Sequence, residues 1–402
     1  MARSRRRRGG CARPSAARGA ARGGRGARTR RPARDQRRAQ LWIGAVAGPC
    51  AGLACTGNPA RAGWRPRHTR AIGPRGGAGA VIRTGLPLVA LLCLGLVSLL
   101  VGAGGVLPPG ALATLGQVDP ADSQTILLTQ MRLPRTLAAL LAGGALGAAG
   151  AVIQSLTRNP LAEPGLLGVN AGAALGIIGT LWLGGAVSGL GLIAPAAAGA
   201  AVVSGLILAL GLRLDTGIGL ILGGAALAGM ATAVLRGMIL LDPFAFDAWR
   251  GWIVGSVAAV DAPTLAAGAL LVLPGVALAA AAAQKLDAMA MGDEAARALG
   301  TSLLLARALS LGAVALLSAG AVILAGPLVF VGLIAPQLAR GRGEARTGLL
   351  TFRAALLGAA LVLAADVAGR VVIPGLSIPI GLSAALIGGP LVIWQMTRRL
   401  QA

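Results

Sequence analysis

From about residue 86 onward the chain alternates long apolar runs with short polar or Gly/Pro-rich breaks. A helix needs about 20 apolar residues to cross the hydrocarbon core of a bilayer. Runs of that kind lie at 86–106, 134–155, 165–185, 191–211, 217–240, 262–283, 303–324, 353–371 and 379–397, with a shorter one at 326–339. The pattern predicts an all-α, polytopic membrane protein of about ten transmembrane helices, because a helix satisfies its own backbone hydrogen bonds in lipid. An even number of spans places both termini on one side.

The polar residues between the runs set the orientation. Arg398-Arg399 and the basic N-terminal region put both ends in the cytoplasm. Segments 156–164, 212–216, 284–302 and 340–352 then lie inside and carry Arg158, Arg213, Lys285, Arg297, Arg340, Arg342 and Arg346. Segments 107–133, 186–190, 241–261, 325 and 372–378 lie outside and carry Asp119, Asp122, Asp242, Asp247 and Asp261. Arg132 and Arg250 run against this trend and require a reason.

Composition agrees with the pattern. The mean hydropathy is +0.76, and only 12% of residues are charged, against about 25% in a soluble domain. A soluble fold of 402 residues would have too much surface for so few charges. The 63 glycines suit closely packed transmembrane helices.

The net charge of +24 is unevenly placed. Residues 1–83 hold 21 Arg and a single acid, Asp35, which accounts for +20 of it. This head has no sustained apolar period and cannot bury enough surface to fold, so it is expected to be disordered and dispensable. Two domains follow: a basic N-terminal extension at 1–83, which also reads as a mis-assigned translation start, and a transmembrane domain at 84–402. Arg5-Arg6-Arg7-Arg8 suits anionic lipid or nucleic acid, yet nucleic acid is not the expected partner of a protein built this way. Cys11, Cys50, Cys55 and Cys93 form no Cys-x-x-Cys pair, and the only histidine is His68. No metal, cofactor or disulfide site is therefore predicted.

One internal echo is visible. Gly150-Ala151-Val152-Ile153 precedes Pro160-Leu161 and Gly165-Leu166-Leu167, while Gly320-Ala321-Val322-Ile323 precedes Pro327-Leu328 and Gly332-Leu333-Ile334. In the register above these segments run in opposite senses, as in an inverted repeat.

Ionisable residues within the runs are few. Asp366 and Arg370 stand four apart on one helical face, either as a functional pair or as a local ion pair. A phosphate loop needs Gly-Lys-Ser/Thr, but the sole lysine is Lys285 in Gln284-Lys285-Leu286. The chain is therefore not expected to be an enzyme. If transport is ATP-driven, a partner binds the ATP and Mg. In segment 284–302, Gly292 precedes Asp293-Glu294, where acids suit a helix N-terminus. Ala295, Ala296, Ala298 and Leu299 continue the helix, and Gly300 can close it. Met289 and Met291 are expected on its exposed side, making a docking knob.

Several motifs together resemble the FecCD-like permeases of iron-siderophore, haem and vitamin B12 ABC importers. They are Arg132-Leu133-Pro134-Arg135; the run from Gln154 through Asn159-Pro160-Leu161-Ala162-Glu163-Pro164 to Val169; Gly251 to Ser256; Gly292 to Gly300; Ala325-Gly326-Pro327 to Pro336; Ala365-Asp366; and Ile378 to Gly381 with Ala385 to Pro390. Gln337 stands where the family usually has His, and Arg340–Leu350 lacks the family's Asp-His-Arg segment.

The resemblance implies a type II ABC importer permease fold in a prokaryotic plasma membrane. It implies a second permease subunit, two cytoplasmic ABC ATPase subunits and an extracytoplasmic substrate-binding protein. It also implies an ATPase-coupling loop at Gly292, Asp293, Glu294, Ala295, Arg297, Leu299 and Gly300. Arg132, Arg135 and Arg370 would dock the binding protein. The rival readings are an ATP-independent secondary transporter, suggested by the echo, and a membrane tether for nucleic acid, suggested by the head.

Overall fold

The computed structural model describes residues 77–102, 105–108, 110, 123–165, 167–185, 188–214, 217–243, 246, 253–340, 346–372 and 377–400. Contacts within the chain separate Met1–Gly73 from Pro74–Ala402. Most of the predicted basic head, including His68 and three of the cysteines, lies outside the described residues. Only 77–83 are described, and they open the first helix.

The helices are α1 (Gly77–Leu100), α2 (Ser123–Thr157), α3 (Val169–Trp182), α4 (Ile193–Leu214) and α5 (Gly217–Leu241). They continue with α6 (Ala262–Ala290), α7 (Asp293–Ala298), α8 (Leu303–Ala325), α9 (Val331–Ala339), α10 (Thr347–Val371) and α11 (Ile380–Leu400). A small antiparallel hairpin of β1 (Val101–Gly102) and β2 (Gly105–Val106) follows α1. Among the described residues, six helices are long and apolar enough to cross a membrane: α2, Gly189–Leu210 (most of α4 with the single turn before it), Leu222–Leu241 in α5, α6, α8 and α10. The apolar parts of α1, α3 and α11 are shorter.

Each predicted span coincides with a helix, with informative differences at the ends. The first helix stops at Leu100 rather than 106, where Gly102 and Gly105 turn the chain into the hairpin. The run at 165–185 is helical only over 169–182, because Pro160, Pro164, Gly165 and Gly168 break what precedes it. The run at 326–339 is helical over nine residues, about 14 Å of rise, so the helix itself makes only part of that crossing. The ninth predicted span begins earlier than 353, at Thr347, where the Asp287 carboxylate accepts from the Thr347 backbone N–H at 2.8 Å.

Helices α2 and α8 are the spans most enclosed by protein. Helix α2 packs on α10, α8, α9 and α6, while α8 packs on α6, α2 and α4. Small residues permit this approach. A Cβ on Gly150 of α2 would lie 1.9 Å from the Gly332 carbonyl oxygen of α9. A Cβ on Gly147 would lie 2.1 Å from the Ala354 oxygen of α10.

Within α2, residues Leu127–Arg132 wind as a π-helix. Pro134 follows and has no N–H to offer the preceding turn, a common cause of local rewinding. In both echoed segments the breaks between helices are marked by residues with positive φ. Helix α2 ends on left-handed Arg158 (φ 51°), and α3 begins after left-handed Gly168 (φ 81°). Helix α8 ends on Gly326 (φ 71°, ψ −168°), a positive-φ conformation outside the left-handed helical region, and α9 begins after left-handed Phe330 (φ 70°).

Candidate functional site

The first candidate site is the short helix α7. Gly292 precedes it with φ 109° and ψ 152°, a conformation natural only to glycine. Its end is closed by two bonds: Thr301 N–H donates to the Ala296 carbonyl at 2.9 Å and Gly300 N–H to the Arg297 carbonyl at 2.9 Å. This is the Schellman pattern, and Gly300 supplies the left-handed residue it needs (φ 77°). The predicted helix bounds therefore hold.

Asp293 in the first turn of α7 pairs with Arg158 at the end of α2 and, at 3.3 Å, with Arg307 of α8. One carboxylate thus joins the short helix to both echoed spans. Glu294 and Leu299 lie outward on α7, and Met291 is exposed beside it. Met289 does not share that surface. It is 3% exposed, because α6 continues through Ala290 and turns it into the core.

The second candidate site is an arginine cluster. Asp366 of α10 is fully buried and binds Arg135 of α2 at 2.7 Å as well as Arg370 one turn later. The Arg370 guanidinium also donates to the Ser98 carbonyl at 2.9 Å and the Val101 carbonyl at 3.2 Å. Arg132 donates to the Leu99, Leu100 and Gly105 carbonyls at 2.9, 2.6 and 3.2 Å. These carbonyls end α1 and open the hairpin, so two arginines satisfy a helix C-terminus that lacks its own partners.

Arg132 and Arg370 are only 6% and 2% exposed. Within the chain these arginines have partners of their own. Arg132 and Arg370 turn inward and donate to backbone carbonyls, Arg370 also to Asp366, while Arg135 reaches Asp366 from a side chain that is 16% exposed. The Asp366–Arg370 local pair is present, and Arg135 joins it.

A third set of contacts was not legible as chemistry in the sequence. Glu163, 5% exposed, accepts from the Phe330 backbone N–H at 2.7 Å. Burial, opposed by that hydrogen bond, raises its carboxyl from 4.5 to about 7. Gln337 Nε2 donates to the Pro160 carbonyl at 2.9 Å. Gln154 Nε2 lies 3.4 and 3.3 Å from the Gly332 and Leu333 carbonyls. The only hint in the sequence is an acid held between two prolines in an otherwise apolar stretch. Among the described residues no cluster of His, Cys, Asp and Glu could hold a metal ion.

The model of the FecCD transport family matches residues 90–398. The chain is 38% identical over 333 residues to the ferric enterobactin transport system permease protein FepD of Escherichia coli K12, covering 80% of this chain and 96% of that protein. It is 34% identical over 316 residues to the vitamin B12 import system permease protein BtuC of Klebsiella pneumoniae, covering 78% and 92%. A solved structure described as an inward-facing conformation of a metal-chelate type ABC transporter is similar, with a TM-score of 0.69 and 27% identity. That match covers 79% of this chain and 99% of the solved one.

Proposed function

The chain belongs to the FecCD transport family and is a multi-pass permease subunit of an ABC importer, and we propose that it carries an iron–siderophore or a related haem or cobalamin chelate inward. The observation that carries this reading is the match to the ferric enterobactin permease along 96% of that protein's length. The similarity to a vitamin B12 permease supports a bulky metal chelate as the cargo class.

Two such permease subunits would form the translocation path. ATP and Mg belong to two cytoplasmic ATPase partners, and a binding protein delivers the chelate from outside. Both termini lie in the cytoplasm, which places α7 on the ATPase side. Helix α7 with Gly292, Asp293, Glu294, Ala295, Arg297, Leu299 and Gly300 is the coupling element. Its exposed face meets the ATPase while Asp293 ties it to α2 and α8.

Docking of the binding protein belongs to the opposite side, near Arg132, Arg135 and Arg370. Direct pairing with a partner's carboxylates would require their present bonds to open. Docking through the hairpin they hold needs no such opening, and that is the version we propose. Uptake of labelled ferric siderophores, haem and cobalamin by a deletion strain, with and without this chain, tests the cargo. Restoration of none of the three rejects the chelate class.

A further inference from the structure

Residues 158–165 touch both α7 and α9 within eight positions of chain. At one end Arg158 pairs with Asp293 of α7. Two residues later the Pro160 carbonyl accepts from Gln337 of α9. Three residues further on, Glu163 accepts from Phe330 at the entry of α9.

The segment is stiff. Pro160 and Pro164 fix their own φ. The Asn159 side chain accepts from Leu161 N–H at 2.9 Å, and the Asn159 carbonyl accepts from Ala162 N–H at 3.1 Å. Arg158 sits at φ 51°, a left-handed conformation uncommon for a residue with a side chain. Helix α9 has only nine residues and follows left-handed Phe330. It is held from one side by this segment, and from α2 by the Gly150–Gly332 approach and by Gln154.

We propose that 158–165 is a strap that makes α9 follow α7, with Arg158 as its α7 end and Glu163 and Gln337 as positioning residues at its α9 end. The strap rests on the reading of α7 as the coupling element and adds where its displacement goes. An element held at two points by a stiff connector moves with it, whereas a freely jointed one does not. Gln337, the departure from the family's usual His, retains a side-chain N–H donor for the Pro160 carbonyl.

The test uses the whole permease–ATPase complex in proteoliposomes with its binding protein, reading both ATP hydrolysis and chelate uptake. Arg158→Ala, Glu163→Leu and Gln337→Leu are expected to hydrolyse ATP while uptake per ATP falls about fivefold or more. Glu163→Gln keeps an acceptor for the Phe330 N–H and is expected to transport as wild type. Because the contacts act in series, Arg158→Ala combined with Gln337→Leu is expected to lose no more than the worse single variant.

Losses that multiply in the double variant overturn the strap. So does wild-type uptake per ATP in Glu163→Leu and Gln337→Leu when Gly292→Pro is uncoupled, an outcome that leaves α7 as the coupling element. Wild-type uptake per ATP in Gly292→Pro removes the coupling reading itself, and the strap with it. If Glu163→Leu fails to accumulate, Gln337→Leu, which deletes a single donor, decides by the same criterion.

Discussion

Arg135 and Asp366, 231 residues apart in the chain, meet at 2.7 Å between α2 and α10. Asp366 is fully buried and also pairs with Arg370. Removing its charge leaves two guanidiniums without a counter-ion in the core of the bundle. Breaking a buried pair from one side costs about 3–5 kcal/mol. Asp366→Asn is therefore expected to lower the detergent-solubilised melting temperature sharply, with Arg135→Gln milder because Arg370 retains the carboxylate. Thermal unfolding followed by size exclusion measures both, and an unchanged Asp366→Asn midpoint would contradict the burial.

Arg132 is expected to act through shape rather than through charge alone. Its fork reaches three carbonyls around the end of α1 and the hairpin, a geometry that an ammonium does not reproduce. Arg132→Lys should therefore weaken binding-protein docking nearly as much as Arg132→Glu. Affinity measured across a salt series checks this. Full retention of docking by Arg132→Lys would return the role to a simple surface charge.

Glu163 predicts a pH slope. Its carboxyl titrates at about 7 in the fold against 4.5 ordinarily. The unfolded chain therefore loses this proton first as pH rises. The stability it contributes is full below pH 4.5 and is lost as pH passes through 7. The shift corresponds to about 3 kcal/mol at most. The wild type should lose thermal stability across that window relative to Glu163→Gln, which cannot titrate there. Parallel curves for the two proteins would reject the shift.

The Gly150–Gly332 approach predicts a steric failure without a chemical change. A side chain at Gly150 meets the Gly332 carbonyl at 1.9 Å, and backbone cannot yield as a flexible side chain does. Gly150→Val is expected to cost about 1–3 kcal/mol or more and to displace α9. Gly229 of α5, where an added Cβ meets nothing within 4 Å, serves as the control: Gly229→Ala should leave melting unchanged or raise it slightly.

What the sequence revealed was local. The ten helices follow from the length of apolar runs, and α7 from Gly292 and Gly300, because both ends of that helix are fixed by neighbouring backbone. Tertiary partners were not legible. The Glu163–Phe330 bond spans 167 residues, and the Asp293 pair with Arg158 spans 135. Met289 lay on the expected exposed side only if α6 ended before it, and α6 did not. The arginines carry the same motif whether they face a partner or cap α1. Their partners show only in the fold, as the Asp366 carboxylate and the carbonyls that end α1 and open the hairpin.

The central claim is that α7 couples ATP hydrolysis in a partner to movement of the spans. Substrate-stimulated ATPase and uptake, measured together in the reconstituted complex, test it most directly. Proline locks φ near −65° and lacks an N–H, so Gly292→Pro breaks both the φ of 109° and the bond to the Met289 carbonyl. Charge reversal at Glu294 alters the exposed face of α7 and leaves the Asp293 pairs in place. Both variants are expected to assemble with the ATPase yet lose substrate stimulation and uptake. Unchanged stimulation and unchanged uptake in both would contradict the assignment of α7 as the coupling element.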